Sequence, residues 1–214
     1  MLPSKPTFDC TATLHFLPSG DYLFVDHERG GLSKFLPVPA VAAAFSGLGR
    51  DSGWIPPGLV RHGHGPLGAW YVYSAPAQKV KIQVLESVLE IPLPRTVVYH
   101  CDKTVHIWAL SCATFDPGAM AYHLPLPNVY QDGKVCWGKN AAPAADPGQA
   151  RKTWELFFTG TAFNADLANG KSKAFPASIV AQLEAVAGAN KYPAADLVST
   201  NKKIGSLIDS FIKD

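Results

Sequence analysis

The sequence predicts an α+β protein in which an antiparallel sheet comes first and helices come last. Three observations carry that expectation. Five β-rich segments follow one another between Ala69 and Leu110 with no helical pattern between them. A stretch rich in Gly, Pro and polar residues, without a period, then runs from Thr114 to Asn140. Beyond Pro147 the apolar residues recur at helical spacing. Strands in succession argue for hairpin connections and an antiparallel meander rather than βαβ units.

Residues 11–16 and 22–25 alternate about a Pro18-Ser-Gly-Asp21 turn, the pattern of a β-hairpin. Pro39 opens, and Gly49 closes, an Ala-rich helix over residues 40–48. Residues 53–68, with Trp54-Ile-Pro-Pro-Gly58 and His62-Gly-His64-Gly-Pro66, read as loop because glycine and proline weaken both regular structures. Strands are expected over 69–73, 79–85, 88–91, 95–100 and 104–110, with a hairpin-sized break at Cys101-Asp-Lys103. Helices are expected over 149–158, with Trp154, Phe157 and Phe158 apolar, and over 177–187, with Ile179, Val180, Leu183 and Val186 on one face. A final helix carries the stripe Ile204, Leu207, Ile208, Phe211 and Ile212, expected to face the sheet. The expected organisation is an N-terminal hairpin-and-helix extension, residues 1–50, and a main domain, residues 51–214.

Of 214 residues, 47% are hydrophobic and 17% charged, enough to build a core and too apolar for a disordered chain. Nineteen basic residues against seventeen acidic ones leave +2, with neither sign gathered into a block, so no nucleic-acid partner is expected. The longest apolar stretch, near Val41, falls far short of the roughly 20 residues that span a bilayer, so no membrane is expected either. Met1-Leu-Pro-Ser-Lys-Pro6 lacks the basic-then-apolar order of a signal peptide, and a cytoplasmic location follows as the expectation. Cys10, Cys101, Cys112 and Cys136 share no zinc-knuckle or redox-pair spacing and read as four free thiols, the first three as packing residues. His62 and His64 have no third ligand at a recognisable spacing, so loop polarity explains them better than a metal; His100 and His106 read as ordinary strand residues. No cofactor is expected.

The irregular segment is where chemistry is expected, since a loop this long inside a compact domain is usually functional. Between Tyr122 and Gly138, Pro127 restrains the backbone before Asn128, Gln131-Asp-Gly133 makes a turn, and Cys136 follows on a short extended piece with Gly138 behind it. A free cysteine is commonly a small buried hydrophobe. On an exposed loop it has the access a nucleophile needs.

These residues resemble the ubiquitin-conjugating enzymes. Their signature is His-Pro-Asn, eight residues from the asparagine to the active-site cysteine, and Gly-x-(Ile/Val)-Cys at the end. This chain has Leu126-Pro127-Asn128, eight residues to Cys136, and Gly133-Lys134-Val135-Cys136. A closer likeness is to the bacterial branch known as prokaryotic family D, which includes PRTRC system protein B. It lies in Trp54-Ile-Pro-Pro-Gly58, His123-x-Pro125-x-x-Asn128-Val129, Val135-Cys136-x-Gly138 and Trp154-Glu-x-Phe-Phe158, and it covers roughly residues 50–165.

The resemblance implies a ubiquitin-conjugating-enzyme-like α+β fold and a transferase. Cys136 would take a ubiquitin-like protein as a thioester and pass it to an amine, while Asn128 holds the loop or donates its amide to the oxyanion. The implied partners are the ubiquitin-like protein, an activating enzyme of the ThiF type and an isopeptidase of the JAB type from the same gene cluster. Two departures stand out. Leu126 occupies the place of the eukaryotic histidine, leaving His123 as a substitute brace, and Trp137-Gly-Lys-Asn140 does not follow the eukaryotic Leu-Asp pattern. Asp132 and Asp146 are acidic candidates for orienting the amine, although both sit where a turn already calls for aspartate. Two further readings stay open at this level: a non-catalytic binding module of the same fold, and a cysteine hydrolase pairing Cys136 with His123 or another histidine.

The charge balance sets one expectation by itself. Titration against duplex DNA at physiological salt should give a dissociation constant no tighter than the non-specific range of about 10⁻⁴–10⁻⁶ M.

Overall fold

The computed structural model describes residues 10–46 and 54–213. The chain divides into two compact units, Met1–Gly53 and Trp54–Asp214.

In the first unit, β1 (Ala12–Phe16) and β2 (Tyr22–Asp26) form the expected hairpin, in register from Ala12↔Asp26 to Phe16↔Tyr22. A third strand, β3 (Leu32–Leu36), extends it. It was not expected, because the strand is short and almost wholly exposed and so lacks a clear buried face; Gly30 and Gly31, both at positive φ, lie in the turn that precedes it. Helix α1 (Val38–Ser46) follows, and its expected end at Leu48 and Gly49 lies outside the described residues. Cys10 does not pack as expected. It is exposed, with its thiol donating to the Ala12 carbonyl at 3.0 Å.

The second unit contains β4 (Leu59–Gly65), β5 (Gly68–Ala75), β6 (Gln78–Val84), β7 (Ser87–Leu93), β8 (Arg95–Cys101), β9 (Thr104–Leu110) and β10 (Met120–His123). Helix α2 (Ala150–Thr159), β11 (Ala162–Phe163), α3 (Ile179–Val186), β12 (Ser199–Lys203) and α4 (Ile204–Lys213) complete it. Six strands form one antiparallel sheet in the order β12-β10-β9-β8-β5-β4. The expected simple meander breaks once. Pro76 and Pro94, which cannot donate to a ladder, bracket a separate β6–β7 hairpin, so β5 pairs directly with β8 from Trp70↔Cys101 to Ala75↔Thr96. Strand β11 adds to β6 in parallel, making a small sheet β11-β6-β7.

Strand β4 corrects the reading of residues 53–68 as loop. Gly63 lies opposite Trp70, whose ring would stand 2.4 Å from any Cβ placed there. The indole fills the space a side chain would have taken, so this glycine serves the strand rather than ending it. Arg61 lies over the same ring at 5.4 Å and pairs with Asp209 on α4 at 2.7 Å.

Helices cover both faces of the six-stranded sheet. Tyr71, Tyr73, Val98, Val105 and Ile107 share one buried cluster with Trp154, Phe157 and Phe158 of α2 and with Ile179 and Leu183 of α3. Val72, Val97, Tyr99, Trp108 and Leu110 share another with Ile204 and Ile208 of α4, against which Leu207, Phe211 and Ile212 pack half-buried. The C-terminal stripe therefore points inward as expected, each fully buried Leu or Ile contributing about 1.5–3 kcal/mol. The central strands β5, β8 and β9 are covered on both faces, which accounts for their reading as nearly continuous apolar runs. Trp154 also donates from Nε1 to Thr96 Oγ1 at 2.8 Å, satisfying its polar atom inside the core. Among the described residues no helix is long and apolar enough to cross a membrane.

Two strand histidines are buried. His100 is fully satisfied: one ring nitrogen bonds Tyr71 Oη at 2.9 Å and the other the Pro143 carbonyl at 3.1 Å. His106 is not. It stacks on Trp108 at 5.7 Å and meets Phe211 at 4.3 Å, while its Nδ1 has no partner. Burial pushes its pKa down from 6.5 to about 4. Between those values the unfolded chain binds the proton and the fold does not, so stability rises with pH across that window. His106→Phe keeps the ring stack and removes the titration. Its unfolding free energy, relative to wild type, should gain most below pH 4 and least above pH 6.5, as read by denaturant titration across that range.

Candidate active site

The spacing between Asn128 and Cys136 is that of a closed hairpin. The Cys136 amide donates to the Asn128 carbonyl at 2.8 Å, Val129 and Val135 bridge antiparallel, and the Tyr130 amide donates to the Lys134 carbonyl at 2.8 Å. Gln131-Asp-Gly133 is the turn: the Gly133 amide donates to the Tyr130 carbonyl at 3.0 Å and Asp132 Oδ1 accepts from the Lys134 amide at 2.9 Å. Gly133 has φ +91°, and a Cβ there would fall 2.4 Å from Trp108 Nε1, so conformation and space both require glycine.

The returning arm is fastened to the sheet. The Ile107 amide donates to the Gly133 carbonyl and the Val135 amide to the Val105 carbonyl, each at 2.8 Å. Residues 133–135 thus occupy the part of the β9 edge that β10 leaves free, since on β9 that strand pairs with Trp108 and Ala109 alone. Leu126, Val129 and Val135 are buried in the cluster shared with α2 and α3. Cys136 comes out of it half-buried, and the next residue, Trp137, rests edge-on against Phe157 of α2 with ring centroids 6.0 Å apart.

Asn128 stands at φ +60°, a left-handed conformation that asparagine tolerates better than most residues. Its amide donates to the Asp166 carbonyl at 3.0 Å, and its side-chain Nδ2 makes one long bond, 3.4 Å, to the Ala162 carbonyl. Oδ1 is buried without a partner. The side chain is therefore held weakly although its backbone is held from both sides.

The predicted residues fall in different places. Asn128 and Cys136 are brought together. His123 does not brace the loop: its Nδ1 is buried without a partner, and burial, then the nearby Lys171, lowers its pKa. Asp132 is committed to its turn. Asp146 caps the turn before α2, its Oδ1 accepting from the Gly148 amide at 2.8 Å. Among the described residues no histidine hydrogen-bonds the Cys136 sulfur. Cys101 and Cys112 are half-buried against the α4-side cluster.

Sequence reasoning missed two residues. Tyr130 is exposed, and the neighbouring Cys136 thiol raises its pKa. The hairpin register predicts this neighbour, because positions 130 and 136 lie diagonally on one face. The other is Lys171, 1% exposed, whose Nζ donates to the Leu126 carbonyl at 2.7 Å and to the Val129 carbonyl at 2.5 Å. No local signal in the sequence pointed to it, because the carbonyls it binds lie more than 40 positions away.

Comparison with known proteins agrees with this geometry at the level of family. The model of prokaryotic E2 family D, where E2 denotes ubiquitin-conjugating enzymes, matches residues 36–200. Neither the curated proteins nor the solved structures gave a match. The matched span is well over half of the chain and contains the whole hairpin, the segment that binds it and helices α2 and α3. The chain belongs to prokaryotic E2 family D, and with it, at that coarse level, to the transferases of bacterial ubiquitin-like conjugation.

Proposed function

We propose that Cys136 accepts a ubiquitin-like protein as a thioester and passes it to an amine. The observation that carries the reading is the pairing of Cys136 with Asn128: a half-exposed thiol fixed by one backbone hydrogen bond to a residue whose side-chain amide is only weakly engaged. In the first step the Cys136 thiolate attacks the carbonyl carbon that links the ubiquitin-like C-terminus to the activating enzyme, whose own thiolate leaves. In the second, an amine attacks the new thioester, the Cys136 sulfur leaves, and the amine gives up a proton as the amide forms. Each step passes through an oxyanion. Asn128 Nδ2, released from its long bond to the Ala162 carbonyl, is the donor for it; the loss of one such donor elsewhere costs about 10²–10³ in rate. The Tyr130 hydroxyl lies on the same face of the hairpin, and the neighbouring thiol raises its pKa.

The partners we assign are a ubiquitin-like protein, an activating enzyme of the ThiF type and a JAB-type isopeptidase encoded beside them, as in PRTRC systems, all acting in the cytoplasm. Hydrolysis is disfavoured because a cysteine hydrolase needs a base within hydrogen-bond reach of its sulfur, and no described histidine bonds Cys136.

Reconstitution with ATP and the activating enzyme and ubiquitin-like protein of the same organism tests the reading. The chain should form an adduct that reducing agent removes. Cys136→Ser should give an ester stable to thiol and labile to hydroxide, while Cys101→Ser and Cys112→Ser charge normally. Two substitutions at Asn128 separate its roles. Asn128→Gly keeps the left-handed turn and should charge almost normally yet discharge onto lysine about 10²-fold more slowly. Asn128→Ala also strains the turn by about 1–2 kcal/mol and should slow both steps. Thiol-labile charging that survives Cys136→Ala would overturn the proposal.

A further inference from the structure

We propose that Lys171 is a positioning residue for Cys136: its amine fastens the two carbonyls that flank Asn128, and so sets the turn from which the Cys136 amide hangs. The inference rests on the reading of Cys136 as the acceptor, and the geometry runs in one line. Lys171 Nζ bonds the carbonyls of Leu126 and Val129; between them Asn128 takes φ +60°; and the Asn128 carbonyl receives the Cys136 amide at 2.8 Å. Two carbonyls converging on one point, inside an apolar cluster that includes Leu126 and Val129 themselves, would be costly to leave unpaired. The buried amine pairs with both.

Lys171 is itself held from the far side of the fold. The Gly170 amide before it donates to the Pro176 carbonyl at 2.8 Å, and Ser172 after it donates from Oγ to Asp196 Oδ1 at 2.7 Å. Asp196 also accepts from the Ala174 amide at 2.8 Å and from Tyr192 Oη at 2.5 Å. Gln131 at the hairpin tip donates to the Asn169 carbonyl at 3.3 Å, so the lysine segment grips the loop at base and tip. An amine on so short a leash positions what it binds.

The charge state fits the same picture. A neutral amine has two N–H donors, and both find an acceptor; an ammonium has a third. No carboxylate lies within ion-pair distance of Lys171 among the described residues, and the titratable group that faces it is His123. Burial pushes the Lys171 pKa down to about 7.

Hydrogen exchange on the full chain tests the proposal without any partner protein. Lys171→Met should speed exchange of the Cys136 and Tyr130 amides by roughly tenfold or more, leaving those of the β5–β8 ladder unchanged. Unchanged protection at Cys136 would overturn it. Should Lys171→Met fail to fold, the Lys171-containing chain answers the question by NMR. In Cys136→Ser, whose residue 136 cannot titrate, the Lys171 Nζ signal, the Leu126 and Val129 carbonyl carbons and the residue-136 amide should move with one shared midpoint. A residue-136 amide that ignores the lysine midpoint would overturn the proposal as surely. In the reconstituted system, Lys171→Met should lower the charging rate at saturating activating enzyme by about tenfold with little change in KM, the mark of a misplaced thiol rather than a lost docking surface. A wild-type chain that takes no charge at all would refute the assignment of Cys136 as acceptor, and the exchange result would still decide the role of Lys171.

Discussion

Everything about the candidate site depends on how a nine-residue hairpin is closed. Between Asn128 and Cys136 the chain turns through Gly133 and returns, and the hydrogen bond from the Cys136 amide to the Asn128 carbonyl is the last rung. A hairpin alone is marginal in water. This one is made stable by its second attachment, where the Gly133 carbonyl and the Val135 amide bond the edge of β9. The sheet edge, the turn glycine and the thiol therefore form a single construction. The glycine is required twice over, by φ and by the indole of Trp108 beneath it. Disturbing any of the three moves the sulfur.

The double coverage of the sheet explains why β9 can serve as that foundation. Val105 and Ile107 face α2 and α3, Trp108 and Leu110 face α4, and a strand gripped from both sides has little freedom to shift its register. The hairpin inherits this rigidity through the strand and through its own apolar residues, Val129 and Val135, which enter the same cluster. Behind it, the 162–196 region supplies the polar contacts. The Ala162 and Asp166 carbonyls accept from Asn128, and Lys171 donates to the carbonyls of Leu126 and Val129. The helices after the loop thus do more than cover the sheet: they carry the connecting segments that hold the loop.

Much of this was legible in the sequence, and the exceptions share a cause. Alternation found β1, β2 and β5 to β9, and apolar periodicity found α2, α3 and α4, because those signals are local. The eight-residue step from Asn128 to Cys136 was also visible, being the register of a hairpin written along the chain. Strand β4 was not, since Gly63 looks like a breaker until Trp70 is known to lie over it. Strands β10 and β12 were missed because each is short and is a strand only by virtue of its partner. The β6–β7 excursion was hidden for the same reason: which strand pairs with which is a tertiary choice. Lys171 was invisible on the same grounds, standing 45 positions from one of the carbonyls it binds and 42 from the other.

The histidines bring the chemistry into focus. An enzyme that hydrolyses a thioester keeps an imidazole at its sulfur to activate water; one that transfers the acyl group to an amine gains by keeping such a base away. Here His100 is consumed by Tyr71 and Pro143, His106 is stacked among aromatic rings, and His123 lies half-buried beside Lys171. Burial disfavours the protonated form of all three. The polar groups that do reach the hairpin are an asparagine amide, a phenol and an amine that is already committed to carbonyls. Among the described residues, the groups around the thiol include a weakly held amide and no histidine hydrogen-bonded to the sulfur. The proposed transfer to an amine needs that asymmetry, and it arises from the same packing that closes the hairpin.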